Sequence, residues 1–381
     1  MNNEIFIVGI CQNMCPEAEI REREKAGLIH VFEKSDDQKL PNSGRENERG
    51  SMRGQNRRYQ RGIRELIKAD KNRAVKSYTR PAAGVNKSKP SDLRPPPVLM
   101  KTVAYLCKEV LIRTDQPFIE VYDFVFDRLR AVRQDMVIQR ISNESALVLL
   151  EAIIKFHLYA EYRFRSNAPP SYDPCINQKH LKDCLKTLLS TYELNNYRGS
   201  SRPFFEALYC LGSPESYEVI SRAFQIRNEM KEATVFLNAL DICLSIQNRN
   251  FYQFFQLLDE LPPLLAAYTA QRVPFMRKHA LKAMMITYGV QTCKVPLEWV
   301  EDMLCYPNAV RTEKDLIRIG SQIIFGEEKG EKFVKFSKSS SFLKEDTASV
   351  DNDVKFTVMA GLNNLEVVVT EQICPWGHQY L

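Results

Sequence analysis

The sequence lacks any run of about 18–20 uncharged apolar residues, the length that a helix needs to cross a bilayer. Its first residues, MNNEIFIVGICQNM, contain no basic region followed by a long apolar stretch, so we expect no signal peptide. The ten cysteines do not show the paired spacing of a secreted disulfide framework. We therefore expect a soluble intracellular protein whose thiols are reduced and mostly packed in the core.

Motifs of well-known catalytic chemistry are also missing. The sequence has no GxxxxGK[ST] phosphate loop, no GxGxxG after a strand, no HExxH and no nucleophile elbow. The five histidines are dispersed along the chain: His30, His157, His180, His279 and His378. Nothing in this pattern favours an enzyme, and we predict no catalytic residue, no cofactor, no bound metal and no small-molecule substrate.

What the sequence does contain is helical periodicity, which is clearest in residues 93–141. After a run of prolines, apolar side chains recur at alternating steps of three and four: Tyr122, Val125, Leu129, Val132 and Met136. This spacing forms one continuous stripe along a helix. The other faces carry charges of both signs, so we predict a helix with one buried side.

The same periodicity continues to about residue 288. Between breaks at Pro and Gly, we predict helices over 16–32, 97–112, 117–140, 143–166, 178–195, 202–212, 214–229, 232–246, 249–258 and 262–288. Helix pairs in series indicate a mainly α fold, an irregular solenoid of stacked helical hairpins. Residues 291–337 follow with a predicted order of two helices and then two strands. This order is compatible with a small winged-helix module or with an ordinary α+β tail.

These patterns divide the chain into six predicted segments. They are an N-terminal Cys-Pro segment and helix (1–34), a disordered basic insertion (35–62), an extended segment (63–97), the helical repeat (98–290), the winged-helix-like module (291–337) and a C-terminal tail (338–381).

One segment makes the protein basic. Residues 45–90 hold fourteen Lys and Arg against four Asp and Glu, a net charge of +10 where the whole chain has +6. Arginine-rich segments bind phosphate backbones by counterion release, but basic linkers are also common, so both interpretations stay open. Lys329 and three neighbouring lysines on the predicted wing favour nucleic-acid contact. The candidate nucleic-acid-binding residues are Arg53, Arg57, Arg58, Arg61, Arg64, Lys68, Lys71, Arg73, Lys332, Lys335 and Lys338.

Cys11 and Cys15 offer a second, weaker chemical hypothesis. Their C-x3-C spacing differs from the usual C-x2-C or C-x4-C of zinc pairs, and His30 is the only further ligand nearby. A partial metal site or an activated thiol at a helix N-terminus is one interpretation. Two buried thiols in a turn that enters a helix is the alternative, and the ligand count favours it.

Three local signatures occur in a specific order. They are CQNMCPE at 11–17, VKSYTRPAAG at 75–84, and LRPP at 93–96 followed by YDFVFDRLRAVRQD at 122–135. Together they resemble the Sac-three/GANP family (germinal-centre-associated nuclear protein), and the wording of the second signature is closest to a branch of short chains. The resemblance covers roughly residues 8–337.

The resemblance implies a fold and a set of partners. In the family, a helical repeat of the TPR/PCI type ends in a winged helix and pairs with a PCI-domain protein, with a small acidic Sem-one-like subunit also present. The joint surface binds RNA within the TREX-two complex of nuclear mRNA export, while the short branch is associated with centrosome duplication and spindle progression. We therefore expect a non-enzymatic scaffold in nucleus and cytoplasm, with centrosome or spindle as a further location. A stand-alone nucleic-acid-binding protein is the alternative. The roughly 44 residues after the predicted wing leave no room for the long extensions of large members.

The signatures also mark residues that we expect to have structural roles. The charged residues of the 122–135 helix are expected to fix the extended N-terminal segment onto the repeat rather than perform chemistry. The signature residues are Cys11, Cys15, Pro16, Tyr78, Arg80, Arg94, Pro95, Asp123, Asp127, Arg128, Arg133 and Asp135.

Overall fold

The structure is a computed structural model that describes residues 7–35, 68–80, 89–165, 167–327, 330–338 and 372–380. The predicted disordered insertion, apart from residue 35, and most of the predicted C-terminal tail lie outside the described residues. The described part is mostly helical, as predicted. None of its helices combines the length and the apolar character required to span a bilayer.

The chain divides into two compact units. The first contains residues Met1–Phe156, Pro169–Tyr172 and Leu365–Leu381. The second contains His157–Ala168 and Asp173–Asn364.

The first unit begins with a short helix, α1 (Glu17–Ala26). Pro16 precedes it, and Glu17 and Glu19 lie in its first turn, where the helix dipole favours negative charge. The prediction of one helix to residue 32 is wrong. Gly27 adopts a left-handed conformation (φ 66°), and its N–H bonds back to the last turn, which ends the helix.

Two longer helices form the body of this unit. The first, α2 (Pro96–Tyr105), starts at two prolines, whose missing N–H groups cost nothing in a first turn, and continues into a π-helical turn, Leu106–Val110. The second, α3 (Phe118–Ile138), follows Pro117. All five residues of its predicted apolar stripe are buried, at most 5% exposed. A further helix, α4 (Glu144–Phe164), belongs to this unit as far as Phe156.

The second unit contains most of the predicted hairpin series. Its helices are α5 (Pro174–Leu194), α6 (Arg202–Gly212), α7 (Tyr217–Ile226), α8 (Thr234–Gln247), α9 (Phe251–Leu258), α10 (Pro263–Thr269) and α11 (Val273–Tyr288). The prediction of one helix over 262–288 is wrong, because a 3₁₀ turn at Ala270–Arg272 separates α10 from α11. Pro274 lies in the first turn of α11, where it is tolerated, whereas in a helix interior it would remove a hydrogen bond.

The second unit ends in a small helix–sheet module. It consists of β1 (Val295–Pro296), α12 (Leu297–Met303), α13 (Ala309–Arg318), β2 (Gln322–Phe325) and β3 (Lys332–Lys335). The strands form an antiparallel sheet in the order β1-β3-β2, with Val295 and Ile323 both opposite Val334. The two strands after the helices were predicted, and β1 was not. The assignment of this module as a winged helix stays a prediction.

A buried arginine connects α11 to this module. Arg277 is fully buried; its Nε donates to the Leu304 carbonyl (3.0 Å) and its Nη2 to the Cys305 carbonyl (2.7 Å). The guanidinium carbon also lies 3.9 Å from the centre of the Tyr306 ring. Arg277 thus binds carbonyl groups at the C-terminal end of α12, where the helix dipole favours a cation.

Candidate functional site: the charged seam along helix α3

Helix α3 binds the extended N-terminal segments through charges that centre on two buried carboxylates, Asp135 and Glu33. We call these two carboxylates and the residues bonded around them the seam. The carboxylate of Asp135 is the first centre: Oδ1 accepts from Lys76 Nζ and Oδ2 from Arg94 Nε, each at 2.7 Å. Asp135 and Arg94 are both fully buried. Arg94 also donates to the Met14 carbonyl at 3.2 Å. One carboxylate therefore holds two basic side chains that come from different parts of the N-terminal region.

Glu33 is the second centre, and it too is fully buried. Its carboxylate accepts hydrogen bonds from the backbone N–H groups of Val75 (3.0 Å) and His30 (3.2 Å). It also pairs with Arg23 and with Arg128 of α3, the latter at 3.4 Å. This centre ties α1, the loop after it and the segment around Val75 to α3.

Tyr78 and Thr79 of the VKSYTRPAAG signature contact the same helix. The Tyr78 N–H donates to Asp127 (3.2 Å), the guanidinium of Arg130 lies 3.8 Å from the Tyr78 ring centre, and Gln134 donates to the Thr79 carbonyl (2.9 Å). A cation over an aromatic face is attracted by the ring quadrupole. These contacts hold residues 78–79 against one face of α3.

The remaining signature residues have varied positions. Arg80 and Asp123 are exposed, and Arg133 is half-buried. Pro95 immediately precedes α2, and its carbonyl accepts the Val98 N–H at 2.9 Å. Asp123 therefore lies on α3 but away from the buried centres.

Cys11 and Cys15 are buried in the turn before α1. Their thiols donate to the carbonyls of Asn13 (3.3 Å) and Pro16 (3.7 Å). Burial raises the pKa of both thiols, which opposes formation of the thiolate that metal binding or nucleophilic chemistry requires. His30 accepts the Phe32 N–H and packs on Phe124, 4.6 Å between ring centres. These contacts agree with the structural alternative for the Cys-Pro turn.

Four residues of the seam were not singled out from the sequence. Glu33 supplies a buried carboxylate and Lys76 a half-buried ammonium group, and Gln139 bridges the Gly9 N–H (2.8 Å) and the Arg94 carbonyl (2.8 Å). A Cβ at Gly9 would lie 2.5 Å from the Leu93 carbonyl oxygen, so the chain needs glycine there. Lys76 lies inside the VKSYTRPAAG signature, which could have pointed to it. No spacing rule connects Glu33 to Val75 across 42 residues.

The predicted basic residues are only partly brought together. Arg53, Arg57, Arg58, Arg61 and Arg64 lie outside the described residues. Lys68 is exposed.

Several other basic residues pair with acidic side chains or point away from one another. Lys71 pairs with Glu17 (3.2 Å), and Arg73 with Asp70 (3.5 Å). On β3, Lys332 pairs with Glu313 (2.6 Å), and Lys332 and Lys335 point to opposite faces because side chains alternate along a strand. Lys338 is exposed beyond the end of β3.

Helix α13 presents an exposed face of mixed character. Val310 and Ile317 are 75% and 59% exposed, and Lys314 lies between them at helical spacing. Arg311 and Arg318 are exposed at the border. We call these five residues the α13 outer face. Its opposite side is anchored in the module: Asp315 accepts from Tyr306 at 3.0 Å.

We predict that Asp135→Asn destabilises the first unit by about 3–5 kcal/mol, because the buried Arg94 and the half-buried Lys76 lose their counter-charge. Urea unfolding at pH 7 measures the change. Asp123→Asn is the matched control, since this aspartate is exposed on the same helix and should change stability by less than about 0.5 kcal/mol. Equal stability of the two variants would show that the seam contributes little to the fold.

Acid should weaken the seam through His30. Burial lowers the pKa of His30 to about 4 from an ordinary value of 6.5. Between these two pH values the unfolded chain binds a proton that the folded chain does not, so the free energy of unfolding falls as pH falls from 6.5 to 4. The contribution is on the order of 2 kcal/mol.

The variant His30→Asn tests this pH dependence, because asparagine can still accept the Phe32 N–H but does not titrate. Unfolding curves at pH 7 and pH 4.5 should show a smaller loss for the variant than for the unmodified protein. The comparison cancels the contribution of acidic side chains that both proteins share. Identical losses would contradict the assignment to His30.

Comparison with known proteins places the chain among relatives that share most of its length. Residues 14–324 match the SAC3/GANP family. SAC3 family protein B of Arabidopsis thaliana is 26% identical over 295 residues, which are 73% of this chain and 16% of that protein. SAC3 family protein 1 of Schizosaccharomyces pombe is 30% identical over 193 residues, 51% of this chain and 16% of that protein. Protein xmas of Drosophila melanogaster is 24% identical over 330 residues, 83% of this chain and 14% of that protein.

The chain thus spans about a sixth of the length of these relatives. The matched region includes α1, the whole helical series and the end module as far as β2, with all of α3 and its buried charges. Since the match covers most of the chain, this protein belongs to the SAC3/GANP family.

Proposed function

We propose that this protein is a non-enzymatic scaffold that acts in nuclear mRNA export as part of a TREX-two-like complex, through a PCI-domain partner and a small acidic subunit. The observation that carries the proposal is the use of the signature charges. Asp127, Arg128 and Asp135 bind the chain's own N-terminal segments. These side chains therefore already have partners within the chain, which favours a binding scaffold over a catalyst.

The α13 outer face is the surface that we assign to the PCI-domain partner. Its two exposed apolar residues lie seven positions apart, with Lys314 between them and arginines at the border. Exposed apolar side chains beside arginines are common at protein interfaces, where arginine is enriched. Arg277 supports this role, because it holds the end of α12 and so fixes the module that carries the face.

Val310→Asp should reduce recovery of a PCI-domain protein at least tenfold when the tagged full-length chain is purified from cells and its partners are identified by mass spectrometry. The aspartate replaces an exposed apolar contact with a carboxylate, which would lose its water on binding. Val137→Asp on α3 is the matched control, because Val137 is 74% exposed and Val310 is 75% exposed. Both variants should melt within a few degrees of the unmodified chain.

Two results would contradict the partner assignment. One is recovery of no PCI-domain protein by the unmodified chain. The other is an equal effect of the two substitutions. The short family branch implies a second setting for the same scaffold, centrosome duplication and spindle progression. A tagged chain followed through the cell cycle separates the settings, since export predicts a nuclear signal and the mitotic role predicts signal at spindle poles.

Direct nucleic-acid binding is the second candidate function. One observation favours it: Phe325 is 74% exposed on β2, and the Lys332 ammonium lies 5.8 Å from its ring centre. An exposed aromatic ring beside a cation is a platform on which a base can stack. The arginines of the 45–90 segment would add sequence-independent affinity for the phosphate backbone.

We expect the full-length chain to bind a single-stranded RNA with an affinity that falls steeply with salt if this candidate is correct. Phe325→Ala should weaken binding without changing the salt slope, because stacking is lost and no phosphate contact is removed. Charge reversal of Arg57, Arg58 and Arg61 together should reduce the slope by about 2. Fluorescence anisotropy at several salt concentrations measures both. An unchanged affinity in the arginine variant would identify that segment as a linker.

A further inference from the structure

Two cysteines of the first unit bring their thiols together inside its core. Cys107 lies in the π-helical turn that continues α2, and Cys374 immediately precedes a 3₁₀ turn, Pro375–Gln379. Both side chains are fully buried, and their thiols share a hydrogen bond. Two sulfur atoms in hydrogen-bond contact need to move only a short way to reach the roughly 2.05 Å of a disulfide bond.

The two cysteines belong to segments that also pack on each other elsewhere. The turn Pro375–Gln379 packs against α2, and Ile373, the neighbour of Cys374, is buried as well. A bond between Cys107 and Cys374 would therefore preserve the native arrangement and tie the last described residues to the body of the unit. A cross-link between segments so distant in sequence stabilises chiefly by removing open conformations of the chain.

A buried cation lies close to the two sulfurs. Lys108 is 7% exposed, and its Nζ has no hydrogen-bond partner among the described residues. Burial lowers the pKa of Lys108, whereas its interactions with the two thiols, the stronger of them with Cys374, raise it. An ammonium group shielded from water is costly without a counter-charge, and a neighbouring thiolate would supply one. This arrangement favours thiol chemistry at the pair over packing alone.

Cys210 and Cys243 of the second unit provide a contrast. Both are buried, within α6 and α8, and burial raises the pKa of each thiol. Their sulfurs share no hydrogen bond in the part of the chain that the structure describes. These two cysteines are therefore an internal control for oxidation that does not depend on a preformed thiol contact.

We propose that Cys107 and Cys374 are an oxidative modification site, where hydrogen peroxide forms a reversible disulfide that locks residues 372–380 onto the first unit. Cys374 lies in a short terminal segment, which can open locally while the helices stay folded. The hydrogen bond to Cys374, together with burial, raises the pKa of Cys107 in the closed state, so Cys107 keeps its proton until the second step.

The reaction takes two steps and consumes one peroxide. In the open state the Cys374 thiolate attacks hydrogen peroxide, the O–O bond breaks, and a sulfenic acid forms. The leaving hydroxide takes up the proton that the thiol had released and becomes water. After closure the Cys107 sulfur attacks the sulfenic sulfur, the S–O bond breaks, and the leaving hydroxide forms a second water with the proton of Cys107. The two sulfurs thus lose two electrons, which the peroxide gains, and two molecules of a thiol such as glutathione reverse the change.

Peroxide treatment of the full-length chain, followed by alkylation and tryptic digestion without reductant, tests the proposal. Trypsin releases Cys107 in residues 102–108 and Cys374 in residues 356–381, and neither peptide contains a second cysteine. Mass spectrometry should find the two peptides joined in most of the treated chains. Dithiothreitol should separate them again.

Proteolysis of the terminal segment is the second readout. Trp376 is half-buried and packs edge to face on Tyr380, 5.6 Å between ring centres. Oxidation should slow chymotrypsin cleavage after Trp376 at least tenfold, because the locked segment opens less often, and dithiothreitol should restore the rate. Cys107→Ala should lose both the joined peptides and the protection.

Lys108→Met tests the contribution of the cation and should slow disulfide formation at least threefold. Lys101→Met is the matched control, because Lys101 is exposed on α2, and it should leave the rate unchanged. Melting temperatures show that each variant is folded. An equal effect of the two lysine substitutions would contradict the role of Lys108.

Three results on the unmodified chain would overturn the proposal. The first is that peroxide leaves the two peptides separate. The second is that Cys210 and Cys243 become joined as readily as Cys107 and Cys374. The third is that oxidation leaves the rate of cleavage after Trp376 unchanged. None of these measurements involves the PCI-domain partner, so the outcome is independent of that assignment.

Discussion

The carboxylate of Asp135 is the contact on which the first unit depends most. It lies on α3, away from solvent, and receives Lys76 and Arg94 from two segments that contain little regular structure of their own. A buried ion pair adds little net stability compared with an apolar contact. Loss of one partner is costly, however, because the other charge then stays buried without compensation. Together with Glu33, this arrangement selects one way of placing the N-terminal segments on the helix.

This constraint separates the residues that build the fold from those available for binding. Arg94, Arg128 and Asp135 are buried and have partners within the chain, so we look for interaction surfaces on faces that present exposed apolar groups. In the described part of the second unit the α13 outer face is one such surface. Arg277 of α11 binds the carbonyls after α12 and so helps to hold the module to which α13 belongs.

The region that this chain shares with its relatives contains the structural features described above. The matched region of 311 residues contains both the buried seam and the helix that displays the α13 outer face, although it corresponds to only about a sixth of the length of the long relatives. The exposed faces are where members of such a family can acquire different partners.

The sequence by itself determined the helices, because periodicity and prolines act over a few residues. The stripe from Tyr122 to Met136 is of this kind, and so is the start of α2, predicted at residue 97 and observed at Pro96. Local signals were less reliable at helix ends: Gly27 stops α1 early, and residues 270–272 divide a predicted single helix. Only the tertiary structure decided the partners of the charges. Lys76 meets Asp135 across 59 residues and Arg128 meets Glu33 across 95, distances at which no spacing rule operates.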